Sequence, residues 1–152
     1  MWSPIGHQPK VLFAPNRQKV GYFGAVNVST GELFTQTAYP FNGETFEQFM
    51  RPFLTAKQSQ GRKIVMTLDN ASWHKAVTRK LMEEYPESLE FLYLPPYSPD
   101  LNPIERVWRI TRRKCTHNKY FQMLEMLIDV LDSFFGELAV PNQILRSLCA
   151  IN

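Results

Sequence analysis

Two stretches near the N-terminus are rich in residues that favour β-strands. They span residues 19–28 (KVGYFGAVNV) and 32–39 (ELFTQTAY). A tight turn at 29–31 separates them, with glycine where a positive φ is needed. We therefore predict an antiparallel hairpin, in which Gly21 and Gly24 allow another part of the chain to approach the first strand closely.

The next stretch repeats apolar residues at the helical spacing i, i+3, i+4, i+7, i+8, which predicts a helix with one buried face. The repeating residues are Phe46, Phe49, Met50, Phe53 and Leu54. Pro52 lies inside the stretch, and we expect it to kink the helix or to end its regular part.

Residues 63–68 form a short, continuous apolar run with β-branched side chains, the pattern of a strand buried on both faces. A helix is predicted from Trp73 to about Tyr85, where Pro86 ends it, and another strand at 89–94. These segments alternate strand, helix and strand, as in the units that build a sheet covered by helices.

Residues 94–108 (LPPYSPDLNPIERVW) contain four prolines, which forbid a helix until the last of them. Asn102 is then a suitable N-cap and Pro103 a suitable first helical residue. A stiff, extended entry therefore holds one carboxylate, that of Glu105, at a fixed place in the first turn of a helix.

Two further helices are predicted at 121–138 and 141–149, the first from its apolar stripe. Residues 1–16 are expected to form a loop with one possible strand at 10–14. A hairpin followed by strand–helix–strand units gives an α/β fold, a mixed sheet with helices on both faces. No linker or internal repeat is visible, so residues 1–152 form a single domain.

Composition agrees with a globular domain, because 44% of the 152 residues are hydrophobic. No apolar run approaches the roughly 20 residues of a membrane span, and no signal peptide is visible, so no membrane partner is expected. The two cysteines, Cys115 and Cys149, have no disulfide or metal-ligand pattern, which favours a reducing, cytoplasmic location.

The net charge of +3 is small, but the basic residues are unevenly distributed. Six of them fall within fourteen positions next to Glu105: Arg106, Arg109, Arg112, Arg113, Lys114 and Lys119. A basic cluster beside an acidic site suits a polyanionic substrate. The alternative is a solvated helix face, the commoner explanation of a basic run.

Asp69 follows the buried strand directly, at the sheet edge where α/β proteins bind ligands. Its alternative role is in the turn before the next helix. Glu105 also has an alternative, because Asn-x-x-Glu resembles a capping box. Two carboxylates brought together either share a proton or bind cations. We predict that these two share a site for Mg²⁺ or Mn²⁺, which prefer carboxylate oxygens.

A two-ion site for phosphodiester chemistry usually needs three acids or more, and Asp69 and Glu105 supply two. Residues 1–68 contain no Asp, and their only acids are Glu32, Glu44 and Glu47.

Other residues near the two acids are candidates for contact with a polyanionic substrate. We expect His74 to contact a phosphate or to transfer a proton, and Asn70 to orient Asp69 or to contact substrate. The alternatives are an exposed polar helix residue for His74 and turn chemistry for Asn70.

Tyr97 is a candidate for stacking on a base, although a packed loop aromatic is the simpler role. Arg109 and Arg112 follow Glu105 on one helix face, and Arg109 alternatively pairs with Glu105. With Arg106 and Arg113, they complete the set of residues predicted to contact such a substrate.

Two of these segments together resemble a known family. LDNASWHKA (68–76) and LPPYSPDLNPIERVW (94–108) resemble the second and third acidic motifs of DDE transposases, or DDE superfamily endonucleases, of the mariner-like insertion-sequence superfamily. The thirty-five residues between the two acids also resemble the family's spacing. The start WSPIGHQP and the hairpin GYFGAVNVSTGELF resemble the preceding segment, so the resemblance covers nearly the whole chain.

The resemblance implies an RNase H-like fold and metal-dependent cleavage and joining of DNA at element ends, with Mg²⁺ or Mn²⁺ in a two-metal site. It makes Asp69 the second acid and Glu105 the third, both metal ligands. It implies transposon ends and target DNA as partners. The family's first Asp lies on the first strand, upstream of the Trp-x-Pro-x-Gly segment with which this chain begins. We therefore expect a truncated core that lacks the first acid, its strand and the N-terminal DNA-binding region.

The isolated chain is expected to be inactive, because two acids do not complete the site. One rival interpretation is a remnant that binds DNA or a protein through the basic helix, and another is a nuclease acting on RNA–DNA hybrids. A missing central strand would leave exposed edges. We therefore expect a homodimer that repairs the sheet, or residues 10–14 in the strand's place, or poor solubility.

Overall fold

The structure, a computed structural model, describes residues 2–4, 19–58 and 60–150. The strands are β1 Trp2–Pro4, β2 Tyr22–Asn27, β3 Leu33–Thr37, β4 Ile64–Leu68 and β5 Leu89–Tyr93. The helices are α1 Gly43–Gln58, α2 His74–Glu84, α3 Pro103–Thr111, α4 Leu124–Leu138 and α5 Gln143–Leu148. A 3-10 turn at Pro99–Leu101 precedes α3, and a π turn at Arg112–Thr116 continues it.

The five strands form one mixed sheet in the order β3-β2-β1-β4-β5. β2 pairs antiparallel with β3 and with β1, whereas β4 runs parallel to β1 and to β5. The predicted hairpin is therefore confirmed, and Gly31 closes its turn with a φ of 76°. The two parallel pairs bring the carboxyl ends of β4 and β5 to the same edge of the sheet.

β1 lies at the centre of the sheet, where a strand was expected to be missing. Trp2 pairs with Asn27 on β2 and with Met66 on β4. The structure thus differs from the expected vacant centre, because three N-terminal residues span the gap between the hairpin and β4. None of those three residues is an acid. The alternative strand at 10–14 lies outside the described residues.

Helices cover both faces of the sheet, as the order of elements predicts. On one face, α1 and α2 pack over alternate residues of β2 such as Phe23 and Ala25. On the other face, α3, α4 and α5 pack over Tyr22 and Val26. The alternation follows from the period of two in a strand, which sends successive side chains to opposite faces. Burial of both faces gives the domain two apolar cores.

α1 continues through Pro52, although a kink or an end was expected there. A proline within a helix removes the donor for the carbonyl four residues earlier, which here is that of Gln48. The side chain of Gln36 on β3 donates to that carbonyl oxygen from Nε2 at 3.3 Å. A neighbouring strand therefore supplies the hydrogen bond that the proline cannot, and the helix continues to Gln58.

Gly24 on β2 lets α3 approach the sheet, as predicted for a strand glycine. A Cβ atom at Gly24 would lie 3.0 Å from the ring of Trp108, which is fully buried. The indole thus packs directly on the strand backbone. This contact fixes the position of α3, the helix that carries Glu105, relative to the hairpin.

α5 is fastened to the hairpin turn through Asn142. The Asn142 side chain donates to the Gly31 carbonyl oxygen at 2.7 Å, and its Oδ1 accepts from the Leu145 amide at 2.9 Å. A Cβ at Gly31 would lie 2.1 Å from the Asn142 carbonyl oxygen, so only glycine allows this approach.

Two features differ from the sequence predictions. One is that α4 begins at Leu124, three residues later than expected. The 3-10 turn at Pro99–Leu101 shows that the proline-rich entry is not wholly extended.

Within 19–58 and 60–150, no helix has the length and apolarity that crossing a membrane requires. Cys115 and Cys149 are both buried free thiols.

Candidate active-site groove

Asp69 stands at the carboxyl end of β4, where the chain leaves the sheet and turns towards α2. Its Oδ1 accepts a hydrogen bond from the amide of Ala71 at 3.2 Å, the pattern of an Asx turn. The turn role considered for this residue is therefore present. About a quarter of the side chain, 27%, remains exposed, so the carboxylate also borders solvent.

His74 is the first residue of α2 and is fully buried. Its Nδ1 lies 3.0 Å from Asp69 Oδ1. The alternative considered for His74, an exposed polar helix residue, is therefore wrong, and a fully buried ring does not favour the predicted phosphate contact. Its role in proton transfer stays a prediction. Burial follows from the packing of α2 on α1, which encloses the ring between aromatic side chains.

The proline-rich loop is held beside Asp69 by contacts between the ends of β4 and β5. The Leu94 amide donates to the Leu68 carbonyl oxygen at 2.7 Å. The Asn70 side chain donates in turn to the Leu94 carbonyl oxygen. Asn70 therefore holds the loop against the end of the strand, which is the kind of turn role considered for it. Asn70 also lies beside Asp69 in the groove.

Glu105 lies in the first turn of α3, as predicted. Asn102 is the N-cap residue, with an extended backbone (φ −91°, ψ 107°), and Pro103 follows at the first helical position. The Asn102 side chain makes no capping hydrogen bond to the helix amides. The Glu105 amide instead donates to the Asn102 carbonyl oxygen at 3.0 Å. The buried Asn102 and the following proline thus define where the helix, and its acid, begin.

Asp69 and Glu105 line one open groove of about 410 Å³ at this edge of the sheet. Asn70, Tyr97 and Asn102 line the same groove, together with the prolines of the loop. The groove therefore brings together two acids that thirty-five residues separate in sequence. Among the described residues, no group of three His, Cys, Asp or Glu side chains is arranged to hold a metal ion.

Tyr97 projects from the loop at the mouth of the groove. Its backbone has a φ of 56°, in the left-handed region, and its side chain is completely exposed, at 102% of the reference area. The simpler role considered for it, a packed loop aromatic, is therefore wrong. A phenol ring that is exposed beside a groove is available for stacking on a base.

The predicted basic residues do not all lie together. Arg109, Arg112 and Arg113 line a second pocket of about 400 Å³ with Thr116 and His117, next to the π turn. All three arginines are exposed. This pocket is formed by residues other than those of the groove, so the shared helix face does not bring Arg109 and Arg112 into the same site as Glu105.

Arg106 has a structural position instead of an exposed one. Its Nη1 donates to the carbonyl oxygens of Leu148 and Ala150, at 3.1 and 3.0 Å. The Cys149 thiol donates to the Pro103 carbonyl oxygen at 3.7 Å, and burial raises the pKa of this thiol to about 11. The guanidinium thus joins the end of α5 to the start of α3, and the DNA contact of Arg106 stays a prediction.

Sequence reasoning missed the residues that hold the two acids in place. Phe46 and Trp73 were assigned only to helix cores, yet both rings contact His74. The C-terminal residues 148–150 carried no visible signal, because backbone carbonyls make these contacts and no side-chain pattern marks them.

The sequence also matches a known family. A family model described as DDE superfamily endonuclease matches residues 1–128. The insertion element IS630 uncharacterized 39 kDa protein of Shigella sonnei is 25% identical over 134 residues, which cover 88% of this chain and 38% of the relative. The uncharacterized protein y4pE/y4sA of Sinorhizobium fredii is 42% identical over 62 residues, or 41% of this chain and 43% of the relative. The chain thus spans less than half the length of these relatives.

The fold matches solved transposase structures. The catalytic domain of the Mos1 mariner transposase superposes with a TM-score of 0.73 at 21% identity, covering 97% of this chain and 74% of that one. The Mos1 strand transfer complex gives the same TM-score at 20% identity, covering 97% of this chain and 50% of the other. Identities this low show the fold alone, which is the RNase H-like fold that the sequence predicted.

Proposed function

The chain belongs to the DDE superfamily endonucleases, and from this membership we propose that Asp69 and Glu105 are two acids of a metal-dependent, transposase-type site that cuts and joins DNA. The observation that carries the proposal is that both side chains line one groove at the carboxyl edge of β4. Ligands of open α/β sheets bind at this edge. In this assignment Asp69 is the second acid of the family and Glu105 the third.

The chemistry of the groove fits a hard divalent cation. Carboxylate oxygens are the preferred protein ligands of Mg²⁺ and Mn²⁺, and Asp69 and Glu105 would hold the ion. When bound, such ions activate an attacking oxygen and stabilise a leaving one in phosphodiester chemistry. A complete two-ion site needs more ligands than these two. Among the described residues, no third acid joins Asp69 and Glu105.

The other groove residues are assigned to the substrate. Tyr97 is placed to stack on a base beside the scissile strand, and Asn70 to contact the nucleic acid while it holds the loop. Transposon ends and target DNA are the proposed partners. Related structures are described as a Mos1 mariner paired end complex and a strand transfer complex. The proposed location is the cytoplasm, which the two free cysteines, Cys115 and Cys149, favour.

Binding of Mn²⁺ to the chain tests the two-acid site. Titration followed by the electron paramagnetic resonance signal of free Mn²⁺ should show binding that Asp69→Ala or Glu105→Ala weakens by about tenfold or more, since even outer-shell partners contribute on that scale. Asp100→Ala is the matched control, because Asp100 is an exposed acid of the same loop that does not line the groove. Equal effects of all three substitutions would contradict the proposal.

We expect no cleavage by residues 1–152 alone, because the groove presents two acids where the chemistry requires three or more. Supercoiled plasmid with Mn²⁺ should therefore remain intact. Metal-dependent nicking that disappears in Asp69→Ala would show that the two acids suffice and would overturn the expectation.

A second function, DNA binding without cleavage, is favoured by the pocket at the π turn. Three exposed arginines there, Arg109, Arg112 and Arg113, converge around Thr116 and His117. Guanidinium groups suit phosphate oxygens in number and geometry. Filter binding to duplex DNA over a range of salt tests this function, because phosphate contacts make affinity fall steeply with salt. An affinity for DNA that does not change with salt concentration would exclude this function.

We still propose a homodimer. The reason is no longer a vacant position in the sheet, because β1 occupies that position. The edge strand β5 exposes Leu92 by 41% and Tyr93 by 36%, and an apolar sheet edge favours pairing with another chain. Light scattering at several protein concentrations tests this. A monomer at every concentration, or a dimer that survives charge substitution at Leu92, would count against this surface.

A further inference from the structure

The groove acid Asp69 has a buried neighbour that the proposed chemistry does not use. We propose that His74 is a positioning residue, which fixes the Asp69 carboxylate by a hydrogen bond from Nδ1, a role that rests on the proposed function because it matters only if Asp69 is a metal ligand. His74 itself touches neither the groove nor substrate, since it is fully buried and does not line the groove.

The contact joins a rigid residue to a partly exposed one. His74 Nδ1 lies 3.0 Å from Asp69 Oδ1 and 3.4 Å from the Asp69 carbonyl oxygen. The Ala71 amide donates to the same Oδ1 at 3.2 Å. Two donors on one carboxylate oxygen restrict rotation of the side chain, so the Asp69 carboxylate is held in place before any ligand arrives. Such outer-shell hydrogen bonds orient metal ligands and tune their affinity.

Aromatic neighbours fix the orientation of the imidazole. The Trp73 ring lies 4.0 Å from the His74 ring, centroid to centroid, in an edge arrangement, and the Phe46 ring lies at 4.6 Å. Phe46 is completely buried within α1. The ring cannot turn away from Asp69 without displacing this packing.

The hydrogen position on the ring follows from its partners. Both atoms within reach of Nδ1 are oxygen acceptors, so Nδ1 carries the hydrogen. Nε2 is buried and has no hydrogen-bond partner among the described residues. A residue serving only to fill this space would be better as a leucine, because an unpaired buried nitrogen destabilises the fold. A histidine at this position is explained if its other ring nitrogen, Nδ1, donates a hydrogen bond to Asp69.

The tautomer can be measured without metal or DNA. Long-range ¹H–¹⁵N correlation spectra of the folded chain should show His74 with hydrogen on Nδ1, and Asp69→Ala should shift the population towards the Nε2-hydrogen form that is common in solution. An Nε2-hydrogen form in the unsubstituted chain would overturn the proposal. This measurement stands whether or not the groove binds metal.

Paired substitutions separate positioning from packing. His74→Asn keeps an amide N–H near the place of Nδ1, whereas His74→Leu keeps the bulk and loses the donor. We expect Mn²⁺ affinity to fall by about 10- to 100-fold in His74→Leu and to recover to within about threefold of the unsubstituted chain in His74→Asn. Equal losses in the two variants would mean a packing role only, and would overturn the proposal.

The two proposals fail in different ways. If the unsubstituted chain binds no Mn²⁺, the proposed metal site fails, and the tautomer measurement still decides whether His74 holds Asp69. If Asp69→Ala abolishes Mn²⁺ binding while His74→Leu leaves it unchanged, the metal site stands and the positioning role falls.

Discussion

Arg106 donates hydrogen bonds from Nη1 to the carbonyl oxygens of Leu148 and Ala150, so the residue next to Glu105 closes the C-terminal end of α5. A cation is favourable there because the last carbonyls of a helix lack amide partners and carry partial negative charge. The start of α3 and the end of α5 are therefore joined beside the groove. α5 contributes to this arrangement from outside the family match, which ends at residue 128.

Substitution of Arg106 should lower the stability of the fold, whereas substitution of the exposed arginines should leave it nearly unchanged. Arg106→Ala is expected to lower the free energy of unfolding by about 1.5–3 kcal/mol, the range for hydrogen bonds to a charged group. Arg112→Ala with Arg113→Ala should change stability by no more than about 0.5 kcal/mol. The measurement is urea unfolding followed by circular dichroism. If Arg106→Ala has the same free energy of unfolding as the unsubstituted chain, Arg106 does not stabilise the contact between α3 and α5.

DNA binding by the same variants provides the complementary measurement. Removing two phosphate contacts should reduce the slope of log affinity against log salt by about 1.8, or about 0.9 for each contact. Arg106→Ala should leave that slope unchanged wherever the chain remains folded. Identical slopes in the double variant and the unsubstituted chain would show that the pocket at the π turn is not a phosphate site.

Gly24→Ala tests the contact between α3 and the sheet. The new Cβ would lie 3.0 Å from the buried Trp108 ring, and overpacking a core typically costs about 1–3 kcal/mol. Thermal unfolding should show the loss. Gly136→Ala is the matched control, because no atom lies within 4 Å of its Cβ position in α4, and alanine there should add up to about 1 kcal/mol. Destabilisation by both would point to a general intolerance of alanine.

Pro52→Ala should stabilise the chain by as much as about 3 kcal/mol, the usual cost of proline inside a helix. The gain is expected to be smaller than that, because Gln36 already satisfies the Gln48 carbonyl. A double-mutant cycle with Gln36→Ala gives the coupling. Gln36→Ala should be destabilising when Pro52 is present and nearly neutral in the Pro52→Ala background, whereas equal effects in both backgrounds would exclude the compensation.

Acid should weaken the surface link between α1 and α2. Glu47 contacts Lys80 and Arg51, and their hydrogen bonds lower the pKa of its carboxyl below 4.5, the hydrogen bond from Lys80 contributing most. A lowered folded-state pKa stabilises the fold above the unfolded pKa and loses that contribution as pH falls through the folded value. The stability difference between the unsubstituted chain and Glu47→Gln should therefore be full at neutral pH, decline as the pH falls below 4.5 and vanish below the lowered folded-state pKa.

This contribution is small, about 0.2–1 kcal/mol, because the pairs lie at the surface, with Glu47 exposed by 26%, Arg51 by 38% and Lys80 by 55%. Added salt should reduce it at neutral pH. A difference that stays constant as pH falls, or grows, would contradict the lowered pKa of Glu47.

Local patterns were sufficient to predict the elements that surround the groove. The apolar run 63–68 and the Asn102-Pro103 start lie within one or two residues of their structural positions. These signals are local, because strand burial and helix capping depend on neighbouring residues. That α1 does not end at Pro52 could not be predicted locally, since the compensating donor, Gln36, lies on another element.

The roles of His74 and Arg106 could not be predicted from their own sequence neighbourhoods. Residue type and position in a helix made both appear exposed and available to DNA. Their burial or pairing depends on the packing of α2 against α1 and of α5 against α3, which sets distances between residues as many as 44 positions apart. Side chains and carbonyls that meet only in the folded chain leave no local pattern.

The central strand β1 joins two halves of the sheet. β1 contributes three residues between the hairpin β2–β3 on one side and the pair β4–β5 on the other. Asp69 extends from β4, whereas the helix of Glu105 rests on β2 through Trp108 and Gly24. The two carboxylates therefore belong to opposite halves of the sheet. The distance between the two acids therefore depends on the register of these halves, which β1 sets by pairing with both β2 and β4.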